Sequence, residues 1–397
     1  MKVLVVNAGS SSLKFVVYNQ EGTDYTVLAK GNLECIGLEK PNLIYRRGEE
    51  GKVNEAVVAP DHSVALEILC QKLVDPKKGV LKTLCEVQAI GHRVVHGGEN
   101  FTEPARVDEA VKASIEACVP LAPLHNPPNL LGITACEKMF PGVPNVAVFD
   151  TAFHQTMGPE AYFYAVPREL YKEHGIRKYG FHGTSHKFVY NAACEHLGLD
   201  PANAKIITCH LGNGCSLAAV EGGEVRDTTM GMTPLAGLVM GTRCGDIDAG
   251  VVLYLIKNLG MDADEVDKIL NKKSGLLGLG GHSDMRDTIE AKETETEPRE
   301  AFNCFIHRLL GHIGSYFAIL GGADAIVLTG GIGENSLPTR DALVKRLGGL
   351  GITLNEAANT VMGDTRILST PDSAVTVLVM PTDEELMIAM ETVALTD

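Results

Sequence analysis

The sequence lacks the segments that would place a protein in or across a membrane. A membrane-spanning helix needs about 18 consecutive apolar residues, and no apolar run in this sequence approaches that length. The strand-like VLVVN begins almost at Met1, and the N-terminus does not have the pattern of a signal peptide. We therefore expect a cytoplasmic protein that does not associate with membranes.

Paired cysteine motifs are also missing, although the chain contains ten cysteines. Their scatter through apolar segments, without any C-x-x-C pair, predicts reduced and mostly buried thiols and argues against a paired-cysteine zinc site. The histidines do not replace such a site. His92 and His96 are four residues apart on a predicted strand, about 13 Å, which is too far to share one ion.

Positive charge is scarce, because 35 lysines and arginines face 50 acidic residues, a net charge of −15. Nucleic acid is therefore an improbable partner, since neutralising its phosphates requires a basic face. An acidic protein that binds a small anion must instead concentrate a few cations locally.

The familiar nucleotide motifs are absent: the chain has neither G-x-x-x-x-G-K-[ST] nor a strand-borne G-x-G-x-x-G. It does have four glycine-rich loops that follow apolar runs, namely NAGSSS, HLGNG, SGLLGLGGHSDMR and TGGIGEN. Backbone N–H groups in such turns form concavities that bind anions. Together the loops favour a site for nucleotide phosphates.

The first loop, in VLVVNAGSSSLKFVVY, has two interpretations. It is either a tight hairpin in which Lys14 extends to solvent, or a cradle for a phosphate. The residues alone leave both open.

Strand-like runs alternate with amphipathic helical segments throughout the 397 residues, which predicts an α/β protein of two domains. VLVVNAGSSSLKFVVYNQEG is echoed by IITCHLGNGCSLAAVEGGEV just after the midpoint. Each copy reads as a strand, a small-residue loop, a second strand and a glycine-bearing turn. This echo predicts duplicated domains that face each other across a cleft.

Four isolated cations stand among small residues: Lys14, Arg93, Arg243 and Arg286. Each either pairs with a local carboxylate, as Arg243 could with Asp246, or binds a phosphate or carboxylate. Guanidinium groups from separate halves would suit a clamp on a transferring phosphoryl group.

Two carboxylates are candidates for chemistry. Asp150 follows the strand NVAVF, where open α/β sheets place ligand-binding groups, but it could equally cap the turn from Thr151 onward. Glu384 could be a functional acid or merely a first-turn acid of a helix whose capping box is formed by Thr382 and Glu385.

Several longer motifs resemble those of the acetate kinase family. In order, they are NAGSSSLKF, GHRVVHGG, LAPLHNP, VFDTAFHQTM, YGFHGTSH, HLGNGCS, DTTMGMTPLAGL, MGTRCGDID, LTGGIGEN and PTDEEL. The resemblance spans Asn7 to Glu385. It implies two duplicated actin- or hexokinase-like (ribonuclease H-like) domains with an ATP cleft between them. The expected domains are residues 1–150 rejoined by a C-terminal helix at 383–397, and residues 151–382, which bind nucleotide and form a dimer.

The resemblance also implies roles for individual residues. The implied catalytic residues are Arg93, Asp150, His182 and Arg243. The implied acetate pocket comprises Arg93, Val95, Leu124, Phe181 and Pro234. The implied ATP contacts are Ser10, Ser12, Lys14, His210, Leu211, Gly212, Asn213, Gly214, Asp284, Met285, Arg286, Gly331, Ile332, Gly333, Glu334 and Asn335. The implied metal ligands are Asn7 and Glu384.

The implied reaction is reversible, Mg²⁺-dependent phosphoryl transfer between ATP and acetate, giving acetyl phosphate and ADP, with Mn²⁺ as an alternative metal. Acetate is already ionised near neutral pH, so direct in-line attack needs no general base. We therefore interpret Asp150 as a positioning or metal-shell carboxylate. A homodimer and functional coupling to phosphate acetyltransferase are implied as well.

Two other functions compete with this one. A kinase for propionate or butyrate would differ only in pocket size, and one methylene is worth about 1 to 3 kcal/mol. An actin- or chaperone-like switch ATPase would have no acceptor, and thus no need of Arg93 beside an apolar pocket.

Overall fold

The computed structural model describes residues 1–396, in which strands and helices alternate. The strands are β1 (Lys2–Gly9), β2 (Ser12–Glu21), β3 (Asp24–Glu34), β4 (Asn42–Arg47), β5 (Val53–Ala56), β6 (Ala89–Val94), β7 (Ala105–Arg106), β8 (Asn145–Phe149), β9 (Lys205–Leu211), β10 (Cys215–Glu221), β11 (Glu224–Thr228), β12 (Ala325–Thr329), β13 (Arg366–Ile367) and β14 (Thr376–Val379). The α-helices are α1 (His62–Leu73), α2 (Glu109–Ala117), α3 (Asn126–Met139), α4 (Pro159–Tyr162), α5 (Arg168–His174), α6 (Gly183–Leu197), α7 (Ala249–Lys257), α8 (Ala263–Lys272), α9 (Gly275–Gly280), α10 (Met285–Ala291), α11 (Thr296–Ile319), α12 (Gly330–Asn335), α13 (Leu337–Arg346), α14 (Glu356–Thr360) and α15 (Glu384–Thr396). Short 3₁₀ helices lie at Leu84–Glu86, Val119–Leu121, Ala152–Thr156 and Leu347–Leu350.

The chain divides into two compact units. The first unit contains Met1–Phe153 and the C-terminal segment that begins at Asp383, and the second contains His154–Thr382. The first unit carries an eight-stranded sheet in the order β5-β4-β3-β2-β1-β6-β8-β7, and the second a six-stranded sheet in the order β11-β10-β9-β12-β14-β13.

Five strands of each sheet follow the same plan. In the first unit β3, β2 and β1 are antiparallel neighbours, and β6 and β8 then continue parallel to β1. In the second unit β11, β10 and β9 are antiparallel, and β12 and β14 continue parallel to β9. The predicted α/β class with duplicated halves is therefore confirmed, and the two echoed sequence segments are the first hairpin of each sheet.

The continuous apolar run of β1 is explained by burial on both faces. Leu4 and Val6 lie in the core on the side of α1 and α3, whereas Val3 and Val5 pack with Ile388 of α15. An added Cβ at Gly91 of β6 would lie 2.7 Å from Cγ2 of Ile388, so a side chain there would displace the helix. This close packing holds α15 against β6.

The structure of the described residues bears on two features of the composition, the apolar segments and the cysteines. Within residues 1–396 no helix combines the length and apolarity needed to cross a membrane. The ten cysteines, all in this range, are free thiols, and most of them are buried.

Candidate active site

In the first unit, polar side chains gather at the carboxyl ends of neighbouring parallel strands. Arg93 lies near the end of β6, and Asp150 directly follows β8. Nε of Arg93 donates to Oδ1 of Asp150 at 3.0 Å, and Nη2 donates to Oδ2 at 2.6 Å. The carboxylate is only 1% exposed and is satisfied by this bidentate partner. Asp150 therefore orients Arg93.

Glu384, the first residue of α15, adds a second carboxylate. Burial is the main reason that the pKa of Glu384 rises to about 7; Asp150 raises it further, while Arg93 and Lys14 oppose the rise. Burial by itself would lower the pKa of Arg93, but Asp150 and Glu384 hold it above its ordinary value. The four charges therefore interact within the first unit.

The predicted capping box at the start of α15 is wrong. Oδ1 of Asp383 accepts the N–H of Leu386 at 2.8 Å and so caps the helix. Thr382 is used elsewhere, because its hydroxyl lies 2.9 Å from that of Ser185. A carboxylate at the capping position competes well with a threonine hydroxyl one residue earlier.

The opening loop is a tight hairpin. Gly9 pairs with Ser12, Ser10 lies in the two-residue turn, and Asn7 pairs across the strands with Lys14. Side chains of directly paired residues project from the same face of a sheet. Lys14 is exposed, so its ammonium group is available to solvent and ligands.

Magnesium is the metal that the resemblance implies for the first unit. Among residues 1–396, no group of three or more His, Cys, Asp or Glu side chains is arranged to hold a metal. Mg²⁺ needs only one or two carboxylates when water and substrate phosphates complete its shell. Glu384 and the side-chain amide of Asn7 both belong to the first unit and offer oxygen donors of this kind. The donor set suits Mg²⁺ bound with a nucleotide.

In the second unit, two donors converge on the HLGNG loop. A Cβ added to Gly214 would lie 3.5 Å from Nη1 of Arg243 and 3.6 Å from Nε2 of His182. The ring of His182 stacks on His210 with centroids 4.3 Å apart. Nη1 of Arg243 donates to the carbonyl oxygen of Pro234 at 3.0 Å, which fixes the side chain. The absence of a side chain at Gly214 leaves both donors accessible from the loop.

The alternative partner for Arg243, Asp246, is engaged elsewhere. Its Oδ1 accepts the N–H of Gly237 at 2.7 Å, and its Oδ2 lies 3.6 Å from Nε2 of His312. Within the described residues Arg243 forms no ion pair, and burial lowers its pKa. A partly buried guanidinium without a carboxylate is suited to an anionic ligand.

A cavity of about 550 Å³ lies beside these groups in the second unit. Predicted ATP contacts line one part of it: Gly212, Asn213, Asp284, Met285, Arg286, Gly331, Ile332 and Asn335. The sequence reasoning missed its apolar wall, which includes Met240, Leu276, Ile289 and Phe305. These four come from separate segments with ordinary core spacing, so no local pattern distinguishes them.

Other predicted ATP contacts do not line this cavity. Leu211 and Gly333 are buried in the fold, and Oε1 of Glu334 accepts the N–H of Gly330 at 2.9 Å. Arg286 does pair locally, through Nε to Oδ1 of Asp284 at 3.0 Å and Nη2 to Oδ2 at 2.6 Å.

The four apolar residues predicted for the acetate methyl are divided between the units. Val95 and Leu124 belong to the first unit, where Val95 is buried and Leu124 is 61% exposed. Phe181 and Pro234 belong to the second, where Phe181 is buried and Pro234 is partly exposed.

Comparison with known proteins identifies the family of this chain. The acetokinase family model matches residues 2–390. The acetate kinase of Clostridium novyi is 51% identical over 395 residues, which are 99% of this chain and 98% of that protein. The crystal structure of Porphyromonas gingivalis acetate kinase matches with a TM-score of 0.95 and 44% identity over 100% of both chains. A propionate kinase from Francisella tularensis matches with a TM-score of 0.92 and 41% identity over 99% of both. The chain therefore belongs to the acetokinase family.

Proposed function

We propose that this chain is an acetate kinase that transfers the γ-phosphoryl group of ATP reversibly to acetate. The observation that carries the proposal is Arg93, held in a fixed orientation by the buried carboxylate of Asp150 at the strand ends. A planar guanidinium binds a small carboxylate in a defined geometry. A switch ATPase has no use for such a group.

Attack by the acetate oxygen on the γ-phosphorus forms one P–O bond as the bond to the ADP oxygen breaks. Acetate carries no proton at neutral pH, so no group has to remove one. Asp150, already bonded through both oxygens to Arg93, acts as a positioning residue. The bidentate bond with Arg93 favours a positioning role for Asp150 over an acid/base role.

The main barrier is repulsion between two anions. Arg243 and His182, which converge at Gly214, would donate to the equatorial oxygens of the transferring group. Arginine contacts of this kind are worth about 10³ to 10⁵ in rate.

The cavity lined by Gly212, Asn213 and Ile332 would hold the nucleotide, with its apolar wall against the base. Lys14, Ser10 and Ser12 of the first hairpin are proposed as phosphate contacts. Glu384 and Asn7 would hold Mg²⁺, or Mn²⁺ in its place, and the bound ion would neutralise phosphate charge.

The test is to incubate the purified chain with MgATP and acetate and to trap acetyl phosphate as its hydroxamate. We expect hydroxamate formation that depends on both ATP and acetate. ATP hydrolysis that acetate neither stimulates nor diverts would instead support the switch ATPase.

We also propose that two copies form a dimer through α7. This helix exposes Val251, Leu253 and Tyr254, which are 46%, 52% and 56% accessible in the single chain. Apolar side chains left exposed on one helix typically mark an interface, and the resemblance implies a second copy as its occupant. Light scattering should give twice 42.4 kDa for the wild type and for a Lys138→Glu control, and less for Leu253→Glu. A monomeric wild type would contradict the proposal.

The cytoplasmic location stays a prediction from the sequence, and functional coupling to phosphate acetyltransferase stays a prediction from the resemblance.

A further inference from the structure

Behind His182 lies a chain of buried groups that the reaction as described does not use. Nδ1 of His182 is 2.8 Å from Oγ of Ser216, and Oγ of Ser216 is 2.8 Å from Nε2 of His186. Nδ1 of His186 is in turn 2.7 Å from Oγ1 of Thr208. The side chains of Ser216, His186 and Thr208 are completely buried, so they form hydrogen bonds with other protein groups and not with bulk solvent.

The number of protons on these four side chains allows only two sets of directions for the three hydrogen bonds. Burial lowers the pKa of His186 well below 6.5, with further contributions from His154 and His210, so the ring is neutral. A neutral imidazole donates from one nitrogen and accepts at the other, and each hydroxyl has one proton. Within residues 1–396 Oγ of Ser216 has no hydrogen-bond partner other than these two histidines, so its single proton goes to one of them. The three bonds therefore point either all toward His182 or all away from it.

The charges around His182 select one order. Nη1 of Arg243 and Nε2 of His182 both lie within 3.6 Å of the same point, the Cβ position at Gly214. The permanent positive charge of Arg243 so close to the ring opposes a second positive charge on His182. A neutral His182 donates from Nε2 only when its Nδ1 is the acceptor of the hydrogen bond with Ser216.

The same order is favoured at the far end of the chain. With the bonds directed toward His182, the Thr208 hydroxyl donates to His186 over 2.7 Å. In the reverse order, that hydroxyl has the carbonyl oxygen of Ala218 as its acceptor at 3.4 Å. This distance is beyond the usual range for an O–H donor.

We propose that Ser216 and His186 are positioning residues that hold His182 as the tautomer protonated on Nε2, ready to donate to the transferring phosphoryl group. The inference rests on the proposed function, in which His182 stabilises the transition state. Ser216 would bond directly to His182, and His186 would act through Ser216.

Kinetics test the positioning role. Ser216→Ala and His186→Leu should each lower kcat about 10- to 100-fold, the usual effect of losing an orienting partner, with the KM for ATP changed less than about threefold. His186→Gln should recover part of kcat, because an amide can accept from Thr208 and donate to Ser216. Thr228→Val is the matched control. Thr228 is also buried, but its hydroxyl donates to the carbonyl oxygen of Leu217 at 2.8 Å and takes no part in the hydrogen bonds that lead to His182. A Ser216→Ala enzyme whose kcat equals that of Thr228→Val would overturn the proposal.

The tautomer can be read without turnover. In ¹⁵N-histidine NMR of the whole protein at pH 7.5, with His182 assigned from a His182→Gln spectrum, we expect the proton on Nε2. Ser216→Ala should give a mixture of tautomers. An Nδ1-protonated or doubly protonated His182 in the wild type would contradict the proposal. A wild type that makes no acetyl phosphate would overturn the proposed function, while the tautomer result still judges the hydrogen-bond order.

Discussion

At the scale of single residues, we propose that Asp150 orients Arg93 and exchanges no proton. Both of its oxygens accept from Arg93. Asp150→Asn keeps one acceptor but loses the charge and the fork, so Arg93 would be held less firmly. We expect the KM for acetate to rise about 10- to 100-fold, with a smaller change in kcat.

The pH profile separates this role from acid/base catalysis. Steady-state kinetics of the wild type and Asp150→Asn between pH 6 and 8 should give parallel profiles of kcat. Loss of a limb of the wild-type profile in the variant, at an unchanged KM for acetate, would identify Asp150 as a proton-transfer group instead.

Arg243 makes the complementary prediction. Its guanidinium is held by the carbonyl oxygen of Pro234 and forms no ion pair within residues 1–396. Arg243→Ala should lower kcat about 10³-fold, because the interaction forms chiefly in the transition state, while ATP binding measured by calorimetry stays nearly unchanged. A near-normal kcat would remove Arg243 from the mechanism.

At the scale of elements, the start of α12 tests how the nucleotide loop is built. Gly330 has φ +76° and an added Cβ would lie 2.8 Å from the carbonyl oxygen of Leu211, whereas Gly331 has open space around it. Gly330→Ala should lower the free energy of unfolding by about 1 to 3 kcal/mol. Gly331→Ala, whose methyl would enter the cavity, should raise the KM for ATP with little effect on stability.

Denaturant unfolding and ATP kinetics on both variants check this crossover. The explanation is wrong if Gly331→Ala is the less stable of the two, or if Gly330→Ala unfolds like the wild type.

Sequence patterns predicted the elements best where they are local and repeated. The two hairpins that turn at NAGSSS and HLGNG can be predicted from the sequence, because each combines apolar strands with a glycine-containing turn. The capping of α15 was missed because Thr382 and Asp383 are both good capping residues, and only the contact of Thr382 with Ser185 decides between them. Local chemistry cannot resolve such a competition.

Contacts made over long sequence separations were the least predictable part of the site. The bond between Arg93 and Asp150 spans 57 residues, and the chain from His182 to Thr208 involves two strands and a helix. The sequence marks each residue as polar within an apolar segment but does not indicate its partner. Pairing depends on sheet order, which the echoed hairpins indicate only in part.

At the scale of the whole molecule, buried histidines make stability depend on acid pH. Burial is the largest cause that lowers the pKa of His92, His96 and His154 to about 4 and that of His186 well below 6.5. The unfolded chain therefore binds more protons between about pH 6.5 and 4. The stability is present above about pH 6.5 and is lost as the pH falls, by up to about 1.4 kcal/mol per histidine and pH unit.

Urea unfolding at pH 7.0 and 5.0 measures this loss. His92→Gln, designed to keep a donor for Oδ1 of Asn145, which lies 2.7 Å from His92, should reduce the pH dependence by about one proton. An identical pH dependence in wild type and variant would show that His92 titrates normally in the folded state.

Direct phosphoryl transfer to a small carboxylate is most directly tested by one measurement on the intact chain. Hydroxamate formation from MgATP is followed with acetate, propionate and butyrate in parallel, and kcat/KM is compared. The account predicts that hydroxamate formation depends on ATP with each of the three acids and that kcat/KM is clearly highest with acetate. A preference for the longer acids would overturn the choice of acetate, and ATP hydrolysis without hydroxamate from any acid would contradict transfer to a carboxylate altogether.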